Sequence, residues 1–297
     1  MKRLGLHRVT IREQLAGLAL VVALPLLGAV AYTTYSGHQN AGDAAEEASS
    51  QLAGVTASSV QEFVDETRAK LALVAGRPLV RRVDPARCDP FLSEVHLLNR
   101  YSAGLATLSL EGKIVCSALP APPGGLPSVA ESEWFQELRR SGRFTVSEPY
   151  LGRISHRRVA VVALPIEDRG RRLGYVAFAI DLVRFQKLFA RLAAPSSSLV
   201  SVVTKSGLIV ARSHDAKRFV GTRLPPELVA QLRSPPNVGM GIDGVERILA
   251  RAPVVGTSWI VVAGVPTEVA YGASNRLLTI VLVLSAACSC WPLSPRS

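Results

Sequence analysis

The chain has 297 residues, enough for one large or two ordinary domains, and 48% of them are hydrophobic, so their cores can be filled. That composition excludes a disordered chain. Its 34 Lys or Arg against 23 Asp or Glu make it basic, but the arginines are scattered and form no nucleic-acid motif, which excludes RNA or DNA as the expected partner.

The N-terminus comes first. No Asp, Glu, Lys or Arg occurs from Gln14 to Gly42, and Leu15 to Ala31 (LAGLALVVALPLLGAVA) is almost wholly apolar, about the length that crosses a bilayer core as helix. Lys2, Arg3, Arg8 and Arg12 precede it, and positive residues stay cytoplasmic, so the residues beyond Tyr35 are expected outside. Ala29-Val30-Ala31 also allows a cleaved signal peptide; the length of the run favours a retained span, and either reading exports the rest. Between Tyr35 and Tyr271 stand 28 Lys or Arg against 22 Asp or Glu, a net +6. This moderate excess reads as a solvated Arg-rich surface, with an anionic ligand or lipid headgroups as the sharper alternative.

From Ala41 to Gly76 the sequence keeps a helical stripe: Ala45, Ala48, Leu52 and Val55, then Val60, Thr67, Leu71 and Val74 with Phe63 and Val64 beside them. One long amphipathic helix is predicted. Asp43, Glu46 and Glu47 would suit its first turn, and Gly76-Arg77-Pro78 would end it.

Cys88 and Cys116 are the only cysteines of the exported part. An even pair in an oxidising compartment is a disulfide candidate, the other reading being two buried thiols. Leu105 to Leu110, a Glu111-Gly112-Lys113 turn and Ile114 to Ala118 predict strand, turn, strand. Leu199 to Thr204, Lys205-Ser206-Gly207 and Leu208 to Ser213 repeat the pattern. Arg158 to Ile166 with Arg172 to Ile180 likewise corresponds to Arg247 to Val254 with Ser258 to Val265, Pro165 and Pro253 each closing the first strand of their pair. At about 90 residues the repeat suits two related modules. The predicted fold is α+β, with two tandem modules built on antiparallel sheets. A helix over Leu182 to Leu192 and the Ala194-Pro195-Ser196 stretch make the joint. Leu277 to Ala287 then restarts an apolar run that stops near Pro292, while Cys288 and Cys290 lack further ligands for a zinc set.

A helix off the membrane, two sheet modules and a second apolar run resemble the double Cache sensor domains of bacterial receptors. The segment from Cys88 to Cys116, then Ser132-Glu133-Trp134-Phe135 and Pro149 to Ser155, looks like that family's membrane-distal module. Gly207 to Arg212, Val220-Gly221 and Asp243-Gly244 look like its membrane-proximal one. The resemblance covers residues 40 to 275 and implies PAS-like modules in this order: 1–13 cytoplasmic, 14–35 a transmembrane helix, 36–76 a stalk helix, 77–192 the distal module, 193–272 the proximal module, and 273–297 a second, truncated membrane segment. It also implies a periplasmic sensor on the inner membrane that binds a small organic ligand distally, works as a homodimer, and feeds a histidine kinase, diguanylate cyclase or chemoreceptor output missing from this chain. A stand-alone anchored binding protein is the rival reading.

In members that bind amino acids the distal pocket resembles an Arg-x-Trp-(Tyr/Phe) element, a later Tyr and a late Asp. Trp134, Phe135, Tyr150 and Asp181 match those types, but position 132 is Ser. The missing Arg would pair bidentately with a carboxylate, which Arg153 or Arg158 would have to replace. Trp134 and Phe135 read equally well as core aromatics. Tyr150 reads as pocket lining or as a structural hydrogen-bonding group. Asp181 either meets an amine or caps the helix after it, and the helical pattern favours the cap. No cofactor or metal is expected. Ser213-His214-Asp215 is adjacency without triad geometry, and no G-x-S-x-G, H-E-x-x-H or P-loop motif occurs, so catalysis is not expected.

Overall fold

A computed structural model describes residues 11–191, 197–232 and 238–272, together with 276 and 279. Helix α1 runs from Ile11 to Ala75 without interruption. The chain divides into two compact units: Glu46–Pro266, which holds all the strands among the described residues, and Met1–Ala45 with Thr267–Ser297. In the latter, His38 and Tyr271 stack with ring centroids 4.0 Å apart. Among the described residues no helix is long and apolar enough to cross a membrane. The side chains of 11–20, 22–24 and 26–27, which make up much of the first apolar run, and nearly all of the second run lie outside the described residues.

After α1 come α2 (Pro78–Arg82) and α3 (Phe91–Leu98), then β1 (Ser102–Leu108), β2 (Ile114–Ser117), α4 (Glu133–Ser141), β3 (Thr145–Val146), β4 (Tyr150–Leu151), β5 (Arg158–Asp168) and β6 (Arg171–Asp181). The short helix α5 (Leu182–Phe185) and a 3-10 turn over Gln186–Arg191 replace the single helix expected there. The second module has β7 (Leu199–Thr204), β8 (Ile209–Arg212), α6 (Ala216–Phe219), α7 (Pro226–Gln231), β9 (Val238–Met240), β10 (Glu246–Pro253) and β11 (Trp259–Pro266). The first sheet is ordered β2-β1-β6-β5-β3, with β4 also on β5, and the second β8-β7-β11-β10-β9; every pairing is antiparallel. The sequence repeat is therefore one strand order used twice.

The repeat extends to detail. Gly112 and Gly207 sit at φ 85° and 91° in the two hairpins. A Cβ on Gly112 would come within 2.6 Å of Phe135, and one on Gly207 would collide with Val229. In each module the hairpin is pressed under a later helix, α4 in the first and α7 in the second, and only glycine tolerates both the turn and the approach.

Three further expectations change. Pro165 lies inside β5, opposite Tyr175, and the strand continues to Asp168. On its other side β5 pairs with β3 only at Val162 and Ala163, so the missing proline N–H falls where the strand has one neighbour. In α1, Ala48 and Val55 face solvent, whereas Ser49, Ala53, Thr56, Ala57 and Val60 are buried. Small side chains let the helix lie close to the second sheet, where Ser49 Oγ donates to Ile248 O at 3.0 Å. Because α1 has no break near residue 43, Asp43, Glu46 and Glu47 stand mid-helix, away from any helix N-terminus.

One core joins α1 to both sheets. It contains Ala53, Ala57, Val60, Val64 and Leu71 of α1, Val162, Val176, Phe178 and Ile180 of the first sheet, and Val202, Val261 and Ala263 of the second. Phe63 of α1 meets Tyr101 and Phe185 at 5.3 and 4.9 Å, and Phe185 meets Trp259 at 6.0 Å. A disulfide joins Cys88, ahead of α3, to Cys116 on β2.

The second module also buries charge. Asp243 Oδ2 accepts from Arg212 Nη2 at 2.7 Å, and its two oxygens accept from Arg247 Nη1 and Nη2 at 2.8 Å each. Both arginine side chains are nearly fully buried. Burial alone would raise the Asp243 carboxyl, but hydrogen bonding and charge from Arg247, with help from Val245 N–H and Arg212, hold it down at about 2.

Asp243→Asn leaves two buried guanidiniums without a counter-charge and is expected to remove about 3–5 kcal/mol of stability in a urea titration at neutral pH. Since the folded carboxyl lies below its ordinary value, the contribution is present above about pH 4 and is lost as pH falls toward 2. A variant as stable as the parent would refute the account. Replacing Cys88 and Cys116 by Ser opens a 28-residue loop and is expected to cost on the order of 3 kcal/mol. Thiol labelling of denatured, unreduced protein should find neither cysteine reactive.

Candidate ligand-binding site

Both long strands of the first sheet are apolar on two faces because both faces are covered. Even-numbered residues of β5 and β6, such as Val162 and Phe178, turn to the α1 core. Odd-numbered ones, among them Val159, Val161, Ala163, Tyr175 and Ala177, form a second core with Trp134, Phe135 and Leu138 of α4. Where that second face is built from Ala103, Gly104, Ala177 and Ala179, the side chains are too small to fill the layer. A cavity of about 80 Å³ remains, closed by Trp134, Tyr150 and the loop from Gly152 to Ser155.

The loop is held as a tight turn: Gly152 N donates to Arg157 O at 2.8 Å and His156 N to Gly152 O at 3.0 Å. Arg153 Nη1 donates to Ser128 O at 2.7 Å, tying the turn to the segment ahead of α4. Tyr150 is fixed by pairing with Val159 of β5. The walls are otherwise apolar, with Ser117 and Ser155 as further polar groups, the usual make-up of a small-molecule site.

Trp134 is buried, and its Nε1 has no hydrogen-bond partner. Burial pushes the Tyr150 hydroxyl up to about 12, against the downward pull of the Trp134 indole N–H and the Arg153 charge. These three groups therefore lie close together, although no hydrogen bond of normal geometry joins the indole to the phenol. Tyr150 stays a neutral hydroxyl through the physiological range.

The other residues singled out in the sequence stand elsewhere. Phe135 is fully buried behind the cavity, edge-on to Tyr175 at 5.3 Å, and forms no part of its wall. Asp181 caps α5, with Oδ1 accepting from Val183 N and Arg184 N at 3.0 and 3.2 Å. Its Oδ2 pairs with Arg157 at 2.7 Å and Arg184 at 3.4 Å. Arg158 reaches the second module at Gly221. Ser132 Oγ donates to Val129 O. Ser213 Oγ and His214 Nδ1 lie 2.9 Å apart on an exposed turn, where Val200 N also donates to Ser213. Sequence reading missed the alanines and glycines that create the cavity. Their signal, Ala103-Gly104 and the alternation Ala177, Ala179, is only an absence of bulk.

The Cache domain family model matches residues 37–274. Over 158 residues the chain is 27% identical to the methyl-accepting chemotaxis protein PctB of Pseudomonas aeruginosa, a match covering 50% of this chain and 24% of that protein. The chain thus spans about a quarter of the length of that relative. Its fold is similar to the ligand-binding domain of the Pseudomonas fluorescens chemoreceptor CtaA in complex with L-isoleucine, at TM-score 0.60 and 18% identity over 78% of this chain and 96% of that one. It is similar also to the ligand-binding domain of PctB in complex with L-Arg, at TM-score 0.57 and 22% identity over 74% and 94%.

An ionisable group raised by burial adds stability below its ordinary pKa and loses it as pH climbs toward the folded value. Tyr150 is therefore expected to make stability fall between about pH 10 and 12, and Tyr150→Phe to flatten that slope. Denaturant titrations at pH 9, 10 and 11 check this; parallel slopes in both proteins would contradict it.

Proposed function

The chain belongs to the Cache domain family, and on that premise we propose that it is the extracytoplasmic sensing region of a membrane signal-transduction receptor. It takes a small organic ligand into the cavity under Trp134, Tyr150 and Arg153. The observation that carries this reading is the buried Trp134 Nε1, without a hydrogen-bond partner, at a cavity whose walls are mostly apolar. A buried donor left without an acceptor costs about 1–3 kcal/mol, which a ligand oxygen would recover.

The relatives support the class of occupant, since PctB and CtaA are described in complex with amino acids. Family membership and the proteins it resembles also support a non-enzymatic receptor role. In this reading residues 14–35 cross the inner membrane, residues 36–76 form the stalk, the distal and proximal modules occupy 77–192 and 193–272 in the periplasm, and 273–297 return to the membrane. The receptor acts as a homodimer. The apolar run from Leu15 to Ala31 and the basic residues before it favour that orientation. Ligand binding can move the receptor only through a difference in affinity between two arrangements. The core shared by α1 and both sheets gives that difference a route to the stalk.

The test is thermal unfolding of the full-length chain in lipid nanodiscs against amino acids, organic acids, alcohols and amines. A true ligand at a hundred times its Kd adds about 2.7 kcal/mol. Ala179→Leu, which fills the cavity, should abolish the shift, and Trp134→Phe should weaken binding roughly tenfold by removing one hydrogen bond. If no compound shifts the parent, or if Ala179→Leu responds as the parent does, the cavity is not the site.

A further inference from the structure

Two side pockets adjoin the apolar cavity, and their charges are opposite. One, of about 260 Å³, shares Ala103, Leu119, Ile154 and Ser155 with the cavity and adds His96, Ser102, Arg157 and Arg184. The other, of about 450 Å³, shares Val129, Trp134, Tyr150 and Arg153 and adds Glu133, Glu137 and Glu148. The two have no wall residue in common, so a molecule in the cavity meets a basic space and an acidic one through different parts of its wall.

Behind the basic pocket a single acid, Asp181, offsets two guanidiniums, and both of its oxygens are already occupied by Val183 N, Arg184 N and the two arginine side chains. Positive charge is therefore left over for an anion, and no carboxylate oxygen is left for an ammonium group. His96 Nδ1 lies 2.7 Å from Ser102 Oγ. Burial, then the charges of Arg184 and Arg157, hold this imidazole below its ordinary pKa, so at neutral pH it adds no charge of its own. In the acidic pocket Arg153 is, among the described residues, the one cation of the wall against three carboxylates, of which Glu137 also pairs with Arg140 and Glu148 accepts from Ser206 Oγ.

We propose that the ligand is a short-chain monocarboxylate whose hydrocarbon part fills the cavity and whose carboxylate lies in the pocket of His96, Ser102, Arg157 and Arg184. This rests on the reading of the cavity as the ligand site and adds to it the ligand class and its orientation. The reverse orientation would place the anion among Glu133, Glu137 and Glu148. An α-amino acid would bring an ammonium group for which Asp181 has no free oxygen. At about 10–15 Å³ of such space per water, 80 Å³ takes roughly five to eight heavy atoms, the size of a short-chain acid.

Isothermal titration of the full-length chain in zwitterionic nanodiscs with butyrate, butylamine, 1-butanol and 2-aminobutyrate compares one carbon chain bearing four polar patterns. Butyrate is expected to bind at least about tenfold more tightly than the others, the size of one charge-assisted hydrogen bond. Saturating butyrate should also raise the His96 pKa in an NMR titration, because it adds an anion where Ser102, Arg157 and Arg184 now face the ring, with Asp181 behind them. Arg157→Gln should weaken butyrate and spare butanol. His96→Gln, which leaves the Asp181 pairs intact, should produce the same split if loss of the arginine unfolds the module. Equal affinity for butyrate and butanol, preference for 2-aminobutyrate, an unmoved His96, or binding of other compounds but not butyrate each overturns the carboxylate assignment and leaves the ligand site standing. A chain that binds nothing in either panel removes the site itself.

Discussion

Two sheets, each apolar on the side that meets α1, need one cover, and α1 supplies it for both. The consequence is visible along the helix. From Ser49, which bonds to the second sheet, to Ala57 its buried positions are small, Ser49, Ala53, Thr56 and Ala57, whereas farther on they are mostly larger, with Val60, Val64, Leu71 and Val74 beside Thr67 and Ala75. The aromatic cluster of Phe63, Tyr101, Phe185 and Trp259 stands where helix, first module and second module meet. Close-packed interiors do not deform smoothly, so a change of shape in either sheet must be taken up by the helix they share.

The two modules share a strand order and use it differently. In the second, Leu249 and Arg247 crowd Gly264 of β11, and the Arg212–Asp243–Arg247 cluster occupies buried space with paired charge. In the first, alanines at 103, 177 and 179 leave the second face of the sheet hollow. The two modules thus differ in side-chain volume at a few strand positions, and the small residues of the first leave the cavity beside Trp134.

Much of the fold was legible because its signals are local. Strand alternation, Gly112 and Gly207 in their turns, and the stop at Gly76-Arg77-Pro78 all depend on neighbouring residues. The repeat was legible because each copy carries the same order of such signals. The stripe on α1 misleads at Ala48 and Val55, since periodicity identifies a large apolar face and the helix buries a small one where it approaches a sheet closely. Pro165 misleads as a strand end because its tolerance depends on how many neighbours β5 has there. At the site, Trp134, Tyr150 and Arg153 could be singled out by residue type. Phe135, adjacent to Trp134, turns the opposite way on α4 into solid core, and Asp181 spends its oxygens on a helix cap and two arginines.

By itself the sequence determined the class of protein: two related antiparallel modules on a long helix after an apolar run, with no catalytic motif. Those properties follow from periodicity, turn chemistry and composition, which act over a few residues. Only the tertiary structure decided where empty space lies and which charges border it. A cavity is the difference between the volume a layer encloses and the volume its side chains fill, and that difference exists only once β1, β6, α4 and the turn at Gly152 are brought together.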